Sequence, residues 1–134
     1  MEHSLLIEKA KEASTHSYSP YSEFKVGAAL EDENGNVFTG CNVENLSFPA
    51  GVCAETNAIS NAVSVIGPSL KIKKIAVYTP TESLTTPCGV CRQVISEFAS
   101  NSTLIVCSSE GSATTEMLFS ELFPSSPAME GVKK

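Results

Sequence analysis

Short apolar runs alternate along this chain with segments whose apolar residues recur at helical spacing, and this alternation constrains the fold most. Helical spacing marks residues 5–13, 53–66, 88–100 and 117–123. Apolar runs typical of strands fill 24–30, 37–43, 71–79 and 104–107, with a weaker candidate at 113–115. Asn34-Gly35 between the first two runs predicts a tight hairpin turn. Because strand–helix–strand units need covering layers, we expect an α/β fold with one mixed sheet and helices on its faces.

Length and charge narrow the class of protein and of partner. The 134 residues fit one domain spanning 1–134, with residues 125–134 expected to form a loose tail. The net charge of −6 disfavours binding to a nucleic-acid backbone or an anionic membrane, and so favours a small-molecule partner. The sequence shows neither a signal peptide nor a run long enough to span a membrane, which predicts a cytoplasmic protein with reduced cysteines.

Three of the five cysteines lie where helices are expected to begin. Cys88 and Cys91 form a Cys-x-x-Cys motif directly after Pro87, and Cys53 stands two residues before Glu55. Free N–H groups and the helix dipole favour thiolates at such positions. If the two helix starts face each other, three sulfurs can bind one tetrahedral zinc ion and leave its fourth position open for water. Glu55 would then act as the base beside that water.

Two other readings of the cysteines remain open from the residues alone. Cys88 and Cys91 could form a redox dithiol, but that leaves Cys53 and Glu55 without a role. A closed structural zinc site would use Cys41 or Cys107 as a fourth ligand, although both lie inside expected strands, where a cysteine is more often a small core residue.

Several sequence blocks resemble one known family. Besides Cys53-Ala54-Glu55 and Pro87-Cys88-Gly89-Val90-Cys91, they include residues 18–30, 39–45 and 91–95. Over 18–124 the chain resembles the small homotetrameric zinc-dependent cytidine deaminases. The resemblance implies a three-layer α/β/α fold with about five strands, one Zn²⁺ per chain and a homotetramer with active sites near subunit interfaces.

The resemblance also implies an activity and a set of site residues. The expected reaction is hydrolysis of the amidine C–N bond of cytidine and 2′-deoxycytidine, giving uridine or 2′-deoxyuridine plus ammonia in pyrimidine salvage. Glu55 would move the proton from water to ring atom N3. The zinc ligands and substrate-binding residues that the resemblance implies are Cys53, Cys88 and Cys91 for the metal, and Phe24, Asn42, Glu44, Ala54 and Thr86 for the nucleoside. Arg92 would help to neutralise the thiolates, since Thr56 stands where many relatives have arginine.

Other functions stay open beside this one. A related enzyme could act on a modified nucleoside such as a blasticidin-type antibiotic, although Asn42 and Glu44 favour a plain ribose. A noncatalytic zinc module would have four protein ligands and no use for Glu55. The chain also lacks an aromatic residue shortly after Phe123-Pro124, where many relatives have a phenylalanine that reaches a neighbour's site.

Overall fold

The computed structural model describes residues 1–111 and 113–127, and these ranges contain four α-helices and five strands. The helices are α1 (His3–Ser14), α2 (Ala54–Ile66), α3 (Gly89–Ser96) and α4 (Phe119–Leu122). The strands are β1 (Gly27–Asp32), β2 (Val37–Cys41), β3 (Ile72–Thr79), β4 (Leu104–Ser109) and β5 (Thr114–Leu118). The expected tail at 125–134 lies mostly outside the described residues.

The five strands form one mixed sheet in the order β2-β1-β3-β4-β5, which confirms the predicted fold class. β3 and β4 are parallel, with Lys74 opposite Leu104, and the other three pairs in this sheet are antiparallel. A parallel pair requires a crossover, and α3 lies in the chain between these two strands. The mixed sheet therefore follows from the alternation of helices and strands in the sequence.

Helices pack on both faces of the sheet. Because successive strand residues point to opposite faces, Ala29 packs with α1 residues such as Leu6, whereas Ala28 and Leu30 pack with residues of α2. Gly40 of β2 permits a close approach of α2, since a Cβ atom there would lie 2.3 Å from the backbone nitrogen of Ala58. Among the described residues no helix is long and apolar enough to cross a membrane.

Several of the predicted boundaries are wrong, including the end of the run 37–43, which is a strand only to Cys41. β1 begins at Gly27 rather than at residue 24, because the Asn42 side chain accepts from the Val26 N–H at 2.9 Å and donates to the Phe24 carbonyl at 2.7 Å. Backbone groups that would join the strand ladder are thus bound by a side chain. The region 88–100 is helical only from Gly89 to Ser96.

Another wrong boundary lies near the end of the described residues, where the apolar spacing of Met117 and Leu118 predicts a helix. Both residues belong instead to β5, because pairing with the buried strand β4 overrides a short helical pattern. The weak strand candidate at 113–115 therefore marks the beginning of a longer strand, and α4 starts at Phe119.

The turn between β1 and β2 is longer than a two-residue hairpin. Four residues, 33–36, separate the strands, and Gly35 has a φ of +85°. The buried Asp32 carboxylate accepts the backbone N–H groups of Asn34 and Asn36 at 2.9 and 2.8 Å. The turn is therefore held by a side chain within the hairpin as well as by its glycine.

Candidate metal centre and active site

The candidate metal ligands lie where two helices begin at one edge of the sheet. Cys53 and Cys88 are the N-cap residues of α2 and α3, and both have extended backbones, with φ near −70°. The carbonyls of Cys53 and Cys88 accept the first intrahelical bonds, from Asn57 N–H at 3.0 Å and Arg92 N–H at 2.9 Å. Neither cysteine side chain caps its helix, so both sulfurs are available as ligands at the positive ends of the helix dipoles.

The three sulfurs of Cys53, Cys88 and Cys91 all lie within 4.8 Å of one another. The Sγ atoms of Cys53 and Cys88 are 4.0 Å apart. Zn–S bonds of about 2.3 Å in a tetrahedron place two sulfurs about 3.8 Å apart, so this spacing fits a zinc ion. Three thiolates suit Zn²⁺ by softness as well as by geometry. The donor set therefore confirms the predicted zinc site.

The pKa values of the thiols favour one thiolate in this cluster and oppose a second. The pKa of Cys53 is lowered to about 6, chiefly by the hydrogen bond from the Cys91 thiol, against the opposing effects of burial and of the Glu55 charge. The pKa of Cys91 is raised, first because its thiol donates to Cys53 and then because it is buried. One thiolate thus forms readily, but further negative charge is unfavourable without a positive ion between the sulfurs.

Glu55 lies in the first turn of α2 with its side chain turned inward. Its exposure is 5%, and burial is the main reason why its pKa is raised above the ordinary value, with its own backbone N–H and the Cys91 thiol acting in the opposite direction. A carboxyl group with a raised pKa holds a proton more readily than one in water, which suits a group that must accept a proton and pass it on. Glu55 is therefore suited to proton transfer.

The two other cysteines do not join the sulfur cluster. Among the described residues the only group of three or more potential metal ligands is Cys53, Cys88 and Cys91. Cys107 is fully buried in β4, and burial raises its pKa to about 11. Cys41 ends β2, where its carbonyl accepts the Asn57 amide at 2.8 Å. This arrangement argues against a closed four-cysteine site.

Arg92 and Thr56 both lie near the sulfur cluster, but of these two only Thr56 comes within hydrogen-bonding range of one of its sulfurs. The Arg92 guanidinium donates to the carbonyls of Pro87 and Leu122 at 2.8 and 2.7 Å and to the Thr86 hydroxyl at 3.0 Å. Within 1–111 and 113–127 it therefore ties the loop before α3 to α4 and makes no hydrogen bond to a sulfur. The Thr56 hydroxyl instead lies 4.0 Å from Cys91 Sγ, within hydrogen-bonding range of sulfur.

A cavity of about 210 Å³ opens beside the cluster. It brings together most of the residues expected from the sequence. Those that line it are Phe24, Asn42, Cys53, Ala54, Glu55, Thr86 and Cys88, together with Val26, Val77, Thr79 and Thr85. An apolar ring, a carboxyl group and a metal site thus share one small concave space, as in many enzyme active sites.

Asn42 lines this cavity and, together with Glu44, also lines a wider cavity of about 500 Å³ that shares Asn42 and Cys53 with it. The Asn42 side-chain oxygen accepts from the Ser17 hydroxyl at 2.5 Å and from the Val26 N–H. Its amide nitrogen donates to Phe24, which leaves one N–H for a ligand. The Glu44 carboxylate accepts two backbone N–H groups and the Ser22 hydroxyl, which leaves about one acceptor position free in the part of the chain that is described.

Sequence reasoning missed Ser17 and Ser22, whose hydroxyls donate to the side chains of Asn42 and Glu44 respectively. Neither serine stands in a periodic pattern or a metal motif, and each meets its partner from more than 20 residues away in the sequence. The sequence block at 18–30 marks the neighbourhood of Ser22 but not the contact.

Comparisons with known proteins agree with this geometry. Residues 1–107 match the family model described as the cytidine and deoxycytidylate deaminase zinc-binding region. A cytidine deaminase of Sporosarcina psychrophila is 45% identical over 97 residues, covering 72% of this chain and 70% of that protein. One from Halalkalibacterium halodurans is 37% identical over 124 residues, covering 92% of each. The crystal structure of a cytidine deaminase from Burkholderia pseudomallei has a TM-score of 0.88 and 39% identity, covering 94% of this chain and 99% of that one.

Proposed function

Because this chain belongs to the cytidine and deoxycytidylate deaminase family, we propose that it hydrolytically deaminates cytidine and 2′-deoxycytidine to the corresponding uridines and ammonia. The observation that carries the proposal is the buried Glu55 carboxyl at the head of the helix whose N-cap, Cys53, belongs to the three-sulfur cluster. The reaction needs a nucleophilic water and a group that moves protons. Both requirements fit this site.

Cys53, Cys88 and Cys91 hold the zinc ion in this proposal. A zinc ion held there would supply Lewis acidity, which lowers the pKa of a water molecule. The two helix N-termini support the negative charge of the sulfurs, and Thr56 adds a hydroxyl beside Cys91. Arg92 contributes by fixing the loop that carries Thr86 and Pro87.

Glu55 carries the proton in this mechanism. Its carboxylate takes a proton from the attacking water and delivers it to ring atom N3. Glu55 then takes the proton of the new C4 hydroxyl and passes it to the amine, so that the C4–N bond breaks, the C4 carbonyl forms and ammonia leaves. A raised pKa suits this exchange, because the carboxyl must both accept and donate within one turnover.

The remaining residues orient the nucleoside. Phe24 packs against the pyrimidine or the sugar, the Ala54 backbone binds the base edge, and the Thr86 carbonyl accepts from the exocyclic amine. Asn42 offers one N–H and Glu44 about one acceptor position, which together complement a hydroxyl group that both accepts and donates. We assign Asn42 and Glu44 to the recognition of the sugar hydroxyls.

The test is Glu55→Gln, with Glu8→Gln on the exposed face of α1 as the matched control. Loss of ultraviolet absorbance follows the conversion of cytidine. Glu55→Gln should keep its zinc and its melting temperature but lose turnover by about 10²–10⁴-fold or more, because an amide cannot carry the proton. Glu8→Gln should behave as wild type. Turnover near the wild-type rate in Glu55→Gln would remove Glu55 from this role.

We further propose that residues 1–134 form one catalytic domain and that four such chains assemble. The support is an exposed apolar patch beside Cys53: Phe48 is 91% and Leu46 is 84% exposed, and both line the wider cavity with Tyr21 and Val52. Patches of this kind mark association surfaces. Sedimentation should give 56.8 kDa, four chains of 14.2 kDa, and Phe48→Ser should lower this mass. A wild-type protein that sediments as a monomer would contradict the assembly.

We also propose that the enzyme acts in pyrimidine salvage in the cytoplasm. None of the five cysteines is in a disulfide, which suits a reducing compartment.

A further inference from the structure

The segment 19–24 forms a tight turn that presents Phe24 to the cavity. The Glu23 N–H donates to the Ser19 carbonyl at 2.9 Å and closes the turn. Glu23 itself has a φ of +59°, a left-handed conformation that is unfavourable for a residue other than glycine. Phe24 follows directly, so its placement depends on what stabilises this turn.

Glu44 binds the same turn from outside. Its Oε1 accepts the backbone N–H groups of Tyr21 and Ser22 at 3.0 and 3.1 Å, and its Oε2 accepts the Ser22 hydroxyl. Ser22 Oγ in turn accepts the Phe24 N–H at 3.0 Å. Ser22 therefore connects the carboxylate of Glu44 with the backbone of Phe24 and spans the left-handed residue between them.

We propose that Ser22 is a positioning residue for nucleoside binding, which fixes the Glu44 carboxylate and the Phe24 ring relative to each other. The inference rests on the proposed function and deepens it, because Ser22 acts on the part of the site that holds the sugar and the ring. Ser22 acts through Glu44 and Phe24 rather than on the reacting atoms.

The electrostatics of Glu44 agree with this role. The hydrogen bond from the Ser22 hydroxyl is the main reason why the pKa of Glu44 is lowered. Desolvation acts against this lowering, and the two backbone N–H groups add to it. With three donors on it, the carboxylate has one defined direction left in which to accept a ligand hydroxyl. Loss of the Ser22 hydroxyl frees Oε2 to rotate and leaves the Phe24 N–H without this acceptor.

The kinetic expectation separates positioning from chemistry. Ser22 lines the wider cavity with Glu44 but not the cavity beside the metal cluster, which Phe24 lines. Ser22→Ala should therefore raise KM for cytidine about tenfold, the factor that one hydrogen bond to a charged group contributes, and leave kcat within about twofold. Ser22→Thr, which keeps a hydroxyl, should restore KM.

The same turn offers a matched control. Ser19 is 7% exposed, and its hydroxyl is one of the buried side-chain groups without a hydrogen-bond partner among the described residues. Ser19→Ala removes an identical group from the turn but breaks no contact, so KM and the melting temperature should stay at the wild-type values or the protein should become slightly more stable.

A double-mutant cycle with Glu44→Gln tests the connection itself. Because Ser22 acts through Glu44 as well as through Phe24, Ser22→Ala should raise KM by clearly less than tenfold in the Glu44→Gln background. Full additivity of the two changes would overturn the proposal. An unchanged KM in Ser22→Ala, or equal losses in kcat and melting temperature with no specific rise in KM, would overturn it as well. A wild-type protein that does not convert cytidine would instead refute the proposed function.

Discussion

The close contact between β2 and α2 predicts that Gly40→Ala damages both stability and metal binding. A Cβ atom at position 40 would lie 2.3 Å from the Ala58 nitrogen and 2.7 Å from the Ala54 carbonyl oxygen, whereas ordinary contacts begin at 3.4 Å. The atoms in the way belong to the helix backbone, so α2 must move by roughly 1 Å. Overpacking of this size costs about 1–3 kcal/mol. For 134 residues this corresponds to a fall of about 4–11 °C in Tm.

The movement would also reach the metal ligands. Cys53 directly precedes Ala54 at the start of α2, and zinc–ligand distances tolerate changes of only about 0.2 Å. We therefore expect zinc affinity to fall by about 10–100-fold, the usual effect of disturbing the groups that support a metal site. Thermal unfolding measures the first effect, and competition with a chromogenic chelator measures the second.

Gly89→Ala is the matched control for this prediction. A Cβ atom there would meet no atom within 4 Å, and position 89 is the first residue of α3, directly after Cys88. Zinc affinity should stay unchanged, and stability should change by less than about 1 kcal/mol. If Gly40→Ala melted and bound zinc like wild type, the inferred dependence of the cluster on the β2–α2 contact would be wrong.

Three other changes test separate parts of the molecule. Cys88→Ala should abolish stoichiometric zinc binding in metal analysis, since a three-ligand site has no spare donor. Cys107→Ala should keep one zinc per chain. Equal zinc contents in the two variants would point to another ligand set. Burial raises the pKa of Asp32, but hydrogen bonds from the β1–β2 turn outweigh it and hold the pKa below its usual value of 3.8. The stabilisation is complete above that value and is lost as the pH falls through the folded pKa, so Asp32→Asn should lower the unfolding free energy by about 1–3 kcal/mol at pH 7 and by less near pH 3 in urea titrations. A gap that did not narrow would refute this assignment. Glu23→Gly should raise Tm, because glycine adopts a φ of +59° without strain. A lower Tm would contradict this prediction and would mean that the larger conformational entropy of glycine in the unfolded chain outweighs the strain removed from the folded one.

Apolar periodicity predicted the elements that are long or that pair in the middle of the sheet. It placed β3 within one residue of its start and α2 correctly against its Gly67 terminus, because both bury continuous apolar surface. It was wrong at Met117 and Leu118, where the partner strand β4 decides the conformation. It was also wrong at the start of β1, where the Asn42 side chain replaces strand pairing.

In the candidate site, too, some features could be predicted from the sequence and others could not. The grouping of the three sulfurs was predictable, because helix N-termini and cysteine spacing are local properties of the sequence. Ser22 was not, since its partner Glu44 is 22 residues away and meets it only after the turn at 19–24 has formed. Arg92 was expected to neutralise the thiolates, yet its hydrogen bonds in the described structure go to two carbonyls and a hydroxyl. Direction of a long side chain depends on tertiary contacts that no local pattern encodes.

The most direct measurement combines metal analysis with turnover on one preparation of wild-type protein purified without added metal. Zinc content per chain is determined first, and cytidine and 2′-deoxycytidine are then supplied while the loss of ultraviolet absorbance and the release of ammonia are followed. The structure predicts one zinc per chain and conversion of both nucleosides, with activity lost on chelation and regained with zinc. One zinc without conversion of either nucleoside would contradict the proposed reaction, and protein without zinc would contradict the metal centre itself.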